Sequence, residues 1–157
     1  MSFFAGQTAT AAALNNASGV QTAGGLWRVT NAAATSGTTE LAFATTPSLA
    51  LAASSTYDAI VDLYYTGSVA NDQFFFRIRD TNTAGTQRAI VVPPVIATAS
   101  GGPYFARLVY TFTTSIAANF VFAATMVRST GTGTCQALAG SRVKVELAGS
   151  STVYATA

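Results

Sequence analysis

From Leu26 onward, apolar and polar positions alternate with a period of two, the signature of strands that bury one face. Tyr57, Ala59, Val61, Leu63 and Tyr65 alternate with Asp58, Ile60, Asp62 and Tyr64. Phe74, Phe76 and Ile78 alternate with Phe75, Arg77 and Arg79, and Tyr104, Ala106, Leu108, Tyr110 and Phe112 with Phe105, Arg107, Val109 and Thr111. Phe120, Phe122, Ala124 and Met126 oppose Asn119, Val121, Ala123, Thr125 and Val127. Near the end, Val143, Val145 and Leu147 oppose Arg142, Lys144 and Glu146. Shorter strands are expected at Leu26–Val29, Glu40–Ala44 and Arg88–Val92, with turn chemistry at Gly67-Ser68, Asn82–Gly85, Ser100–Pro103 and Gly131–Gly133. About eight strands at regular spacing predict an all-β fold, a jelly-roll-like β-sandwich over residues 26–157.

A two-sheet sandwich buries one face of each sheet and wets the other. Several strands here are apolar or aromatic on both faces, as at Ile60 with Tyr64, at Phe75, and at Phe105 with Val109. These residues, with Arg77 and Arg79 as ionic contacts, are the candidate subunit interface of a homo-oligomer.

Residues 1–25 follow a different pattern. Phe3 and Phe4 precede an alanine-rich stretch to Leu14, closed by Asn15, Asn16 and Gly19. Thr8 or Thr10 can cap one or two helical turns that Asn and Gly then end. A helix that short is marginal alone. The segment reads as a docking arm with a possible helical turn, anchored through Phe3, Phe4 and Leu14.

Composition strengthens the assembly reading. Charged residues make up only 9% of the 157, half of the chain is apolar, and eight Lys and Arg oppose six Asp and Glu. So few charges suit surfaces that face other protein, and a net charge of +2 without clustering makes no nucleic-acid footprint. No basic residue precedes Arg28, so an export signal reads poorly. The longest apolar stretch, Ile116 to Val127, is interrupted by Asn119 and Thr125 and is too short to span a bilayer. A soluble protein without membrane insertion is expected.

Candidate chemistry is sparse. The sequence contains no histidine, which removes the usual general base and the commonest metal ligand together. Cys135 is the single cysteine, so neither a disulfide nor a cysteine metal cluster arises within the chain, and it reads as a small buried hydrophobe. Asp58 and Asp62 share a strand face roughly 13 Å apart, beyond the spacing of a glycosidase pair, and read as solvent or interface charges. Asp72 and Asp80 fit turns better than a calcium loop. Gly131-Thr132-Gly133-Thr134 lacks the lysine of a phosphate loop and reads as a hairpin tip. Arg77, Arg79 and Arg88 near Phe75 are a weak single-strand nucleic-acid pattern. Trp27, Tyr64, Tyr65 and Tyr104 could form a sugar-stacking platform. The expectation is a protein that is not an enzyme and uses no cofactor or metal.

The opening Phe3-Phe4-Ala5-Gly6-Gln7-Thr8-Ala9-Thr10-Ala11-Ala12-Ala13-Leu14-Asn15 resembles the start of tail, fibre and surface proteins of bacteriophages that infect actinobacteria. Those often begin with an aromatic residue, Ala-Gly-Gln or Ala-Gly-Glu, a hydrophobic residue, Thr-Ala and Leu-Asn; here Thr8-Ala9 stands where a larger apolar residue is common. Thr45–Leu51 and Thr56–Tyr65 are similar to the first sandwich strands of such proteins. The resemblance implies a virion structural protein, made in the host cytoplasm and carried on the virion surface. Its arm would tether it to a major capsid or tail protein and its sandwich, as a homotrimer, would face outward. A single domain with a short arm leans toward a capsid decoration protein. A minor tail or fibre protein, or a carbohydrate-binding module meeting a host-surface glycan, is the alternative.

Overall fold

The computed structural model describes residues 21–28, 30–35 and 37–150. Within them lie eleven strands: β1 (Gln21–Trp27), β2 (Leu41–Thr45), β3 (Leu49–Leu51), β4 (Ser55–Gly67), β5 (Gln73–Asp80), β6 (Gln87–Val91), β7 (Gly101–Thr114), β8 (Ala118–Phe120), β9 (Phe122–Thr130), β10 (Cys135–Ala137) and β11 (Arg142–Ser150). Among the described residues no helix is long and apolar enough to cross a membrane.

Eight of these strands carry the architecture, and their pairing is nested. The outermost two, β1 and β11, pair with each other; inside them β2 pairs with β9, then β4 with β7, then β5 with β6, all antiparallel. Such nesting results when one long antiparallel ribbon is rolled up, and it is the jelly roll. It lays down a first sheet ordered β1-β11-β4-β7 and a second ordered β2-β9-β5-β6. β10 joins the first sheet, taking up pairing along Tyr65–Gly67 of β4 beyond the stretch that β11 covers. The β3–β8 ribbon extends the β2–β9 pair past a bend.

The inward positions are those the alternation picked out. Tyr57, Ala59, Val61, Leu63 and Tyr65 of β4, with Leu108 of β7 and Val143 and Val145 of β11, face Phe43, Phe74, Phe76, Ile78, Phe122 and Met126 of the second sheet, and all are buried. Each large apolar side chain so buried contributes about 1.5–3 kcal/mol. Aromatic pairs close both ends of the core: Tyr110, Phe112, Phe120 and Phe122 at one end, and Tyr65 with Phe76 at 4.7 Å at the other.

Three details differ from the sequence-based expectation. β1 begins at Gln21, so residues 21–25, placed in the arm, pair with β11 as part of the sandwich. The expected strand Asn119–Val127 divides at Val121, because β8 pairs with β3 and β9 with β2 and β5. Gly131–Gly133 is not a hairpin tip, since β9 belongs to the second sheet and β10 to the first. This crossing is held by buried Asp72, whose carboxylate accepts from the backbone N–H of Thr132 at 3.2 Å and of Gly133 at 2.6 Å. Gly131 has φ +96°, and a Cβ there would lie 1.7 Å from the Asp72 carboxylate. The helical turn and the anchors Phe3, Phe4 and Leu14 lie outside the described residues.

Candidate functional site

The residues expected at a subunit contact separate onto opposite faces of the sandwich. Ile60, Tyr64, Phe105 and Val109 lie together on the outer face of the first sheet, where Tyr64 sits opposite Phe105 and Ile60 opposite Val109 across β4 and β7. Tyr64, Phe105 and Val109 are 42%, 52% and 49% exposed, and the Tyr64 and Phe105 rings stand 5.2 Å apart. Strand β7 pairs with β4 alone among the described residues, so its other side forms no strand pairing, with β6 of the second sheet passing beside part of it.

Phe75, Arg77 and Arg79 lie instead on the outer face of the second sheet, and their ionic partner is internal. Arg77 donates to Glu40 at 2.5 Å, and Arg79 forks onto the same carboxylate at 2.6 and 2.8 Å. Thr125 donates to it as well, and the Arg77 guanidinium lies over the Phe75 ring at 5.6 Å. Burial works to raise the Glu40 carboxyl, but the hydrogen bonds from Arg79 and Thr125 and the charge of Arg77 outweigh it and hold it below its ordinary value. Both arginines thus have an intrachain ionic partner in Glu40. Arg88 likewise pairs with Asp80.

Asp62 also differs from expectation. It faces outward on β4, yet its side chain is only 5% exposed, because cross-strand neighbours on both sides fold over it. Arg107 from β7 donates to it at 2.6 Å and Arg142 from β11 at 2.8 Å. Burial again works to raise its carboxyl, and the two arginines prevail and lower it. Asp58, the other member of the supposed pair, accepts from Thr111. Cys135 is fully buried, and burial pushes its thiol up to about 12, so it stays neutral.

The supposed aromatic platform splits in two. Tyr65 is in the core with Tyr104 against it at 5.4 Å. Trp27 and Tyr64, in contrast, flank one depression of about 360 Å³ on the outer face of the first sheet, lined also by Asp62, Gly140 and Arg142. Trp27 is 65% exposed, and the Arg142 guanidinium lies 6.0 Å from its ring centre. The floor is fixed by the β10–β11 connection. Leu138 N–H donates to Tyr64 O, Gly140 N–H to Arg28 O, and Arg28 N–H to Ser141 O, while the Ser141 hydroxyl bonds both the N–H and the carbonyl of Tyr64. Gly140, at φ +90°, leaves the adjoining flank of Tyr64 open. The sequence named Trp27 and Tyr64 but not the Asp62, Arg107 and Arg142 cluster, which exists only through the register of three strands distant in the chain.

Among the described residues no group of three or more His, Cys, Asp or Glu could hold a metal ion. No family model and no curated protein matches the sequence. Among solved structures, the chain is similar to one from infectious bursal disease virus Gx strain, at 12% identity and a TM-score of 0.47 over 83% of this chain. It is similar to infectious bursal disease virus VP2 in a subviral particle, at 12% identity and a TM-score of 0.48 over 86% of this chain. A third likeness, to a structure titled CBM4 structure and function, has 12% identity and a TM-score of 0.37, with 66% of this chain and 61% of that one covered. This chain spans 32% of the length of either viral chain. Likenesses this distant transfer no activity.

Proposed function

We propose that this protein is a non-catalytic structural subunit of a bacteriophage particle, a capsid decoration protein that self-associates, as a trimer in the reading the resemblance implies. The observation that carries the self-association is the unpaired edge of β7. A long exposed edge strand invites pairing with another chain, and natural proteins blunt such edges with charge. Here the single charged residue of the fourteen in β7 is Arg107, which is tied to Asp62. Around it Phe105 and Val109 are exposed on the same strand, beside Tyr64 and Ile60. The place on a particle rests on the resemblance of residues 3–15 and 45–65 to phage surface proteins, with the arm as the tether to a capsid or tail protein.

The test is addition of the purified full chain to particles that lack it, followed by sedimentation. The chain is expected to sediment with capsids at a fixed stoichiometry. Binding to isolated tails alone would move it to the tail, and binding to neither would overturn the virion reading.

A further inference from the structure

The depression between Trp27 and Tyr64 lies on the outer face of the first sheet, with Trp27 and Arg142 on its β1 and β11 side and Tyr64 on the side next to Phe105 of β7. Its size falls within the range of small-ligand sites, and its floor is held in place by the backbone bonds of residues 138–141 before anything binds. Two aromatic side chains are exposed at its rim instead of being drawn into the core, and their ring faces attract the apolar C–H faces of a sugar ring.

The charges narrow the class. Two guanidiniums flank one carboxylate, leaving a local excess of one positive charge. Arg142 spends Nε and Nη2 on Asp62, and Arg107 spends Nε. Their remaining N–H groups have no partner among the described residues, and donors of this kind in fork geometry suit a carboxylate. The wider face carries Arg107, Arg142 and Lys144 against Asp58, Asp62 and Glu146, so it offers no extended track for a phosphate backbone. We infer that the Trp27–Tyr64 depression binds an acidic saccharide, a sugar ring stacked on Trp27 or Tyr64 with its carboxylate on the unspent donors of Arg142.

Trp27 is the only tryptophan in the chain, so intrinsic fluorescence reports this site directly. The full chain is titrated with tetragalacturonate, with the neutral tetrasaccharide maltotetraose and with acetate. Tetragalacturonate is expected to change Trp27 emission saturably, with the neutral sugar and acetate at least about tenfold weaker, the worth of a charge-assisted hydrogen bond. Arg142→Gln should lose that preference, and Arg142→Lys should regain part of it. Tyr64→Ala should weaken binding of the acidic sugar while its unfolding midpoint stays within a few degrees of wild type. Equal binding of the two tetrasaccharides, equal binding of acetate, or no saturable change overturns the proposal. Repeating the titration with Val109→Lys separates the two readings, since that variant disrupts the β7 contact and leaves the depression intact.

Discussion

Glu40 and Asp62 each bridge two arginines within the chain, and both ion clusters require the carboxylate to remain ionised. Their carboxyls are held below ordinary values of 4.5 and 3.8. A group lowered on folding contributes stability that is complete above its unfolded pKa and lost as pH falls through the folded one. The thermal midpoint should therefore hold from neutrality to about pH 5 and fall as pH drops below about 4. Glu40→Gln should lower the midpoint at neutral pH and flatten the acid limb; an unchanged acid limb in that variant would remove Glu40 from this explanation. Asp72 accepts two backbone hydrogen bonds at the β9–β10 crossing. Asp72→Ala leaves two N–H groups of the β9–β10 crossing without their acceptor and should cost about 2–3 kcal/mol in denaturant unfolding, whereas a loss under about 0.5 kcal/mol would show that water replaces it.

At the scale of elements, what the sequence revealed depended on length. Strands β4, β5, β7, β9 and β11 alternate over enough residues to be read directly, and β2 and β6 fell close to their expected positions, whereas β1 overlaps its expected strand only at Leu26 and Trp27. The three-residue strands β3 and β10 carry too few positions for any period to show. Register was the larger gap. Asp62, Arg107 and Arg142 looked like unrelated residues on wet faces, because nothing local states that β7 and β11 flank β4 at the same row. For the same reason the sequence did not show that Arg77 and Arg79 share an intrachain partner in Glu40, thirty-seven residues before Arg77. The crossing at Gly131–Gly133 looked like a hairpin because turn residues state that the chain bends, not which sheet it joins next.

At the scale of the molecule, the nested pairing gives the two outer faces different characters. The second sheet carries an intrachain ion network on its outer face, with Ile90 exposed beside it, while the first leaves Trp27, Tyr64, Phe105 and Val109 exposed. An exposed apolar face on a chain with 9% charged residues is the physical basis of the proposed self-association. The direct check is the solution mass of the full chain by light scattering, alongside Val109→Lys, which places a charge in the middle of the β7 edge. The wild-type chain should show a multiple of 16.1 kDa, and the variant, with its unfolding midpoint retained, should fall to 16.1 kDa. A wild-type mass of 16.1 kDa that persists at roughly 0.1 mM, where even weak contacts of micromolar Kd are filled, would contradict self-association through β7.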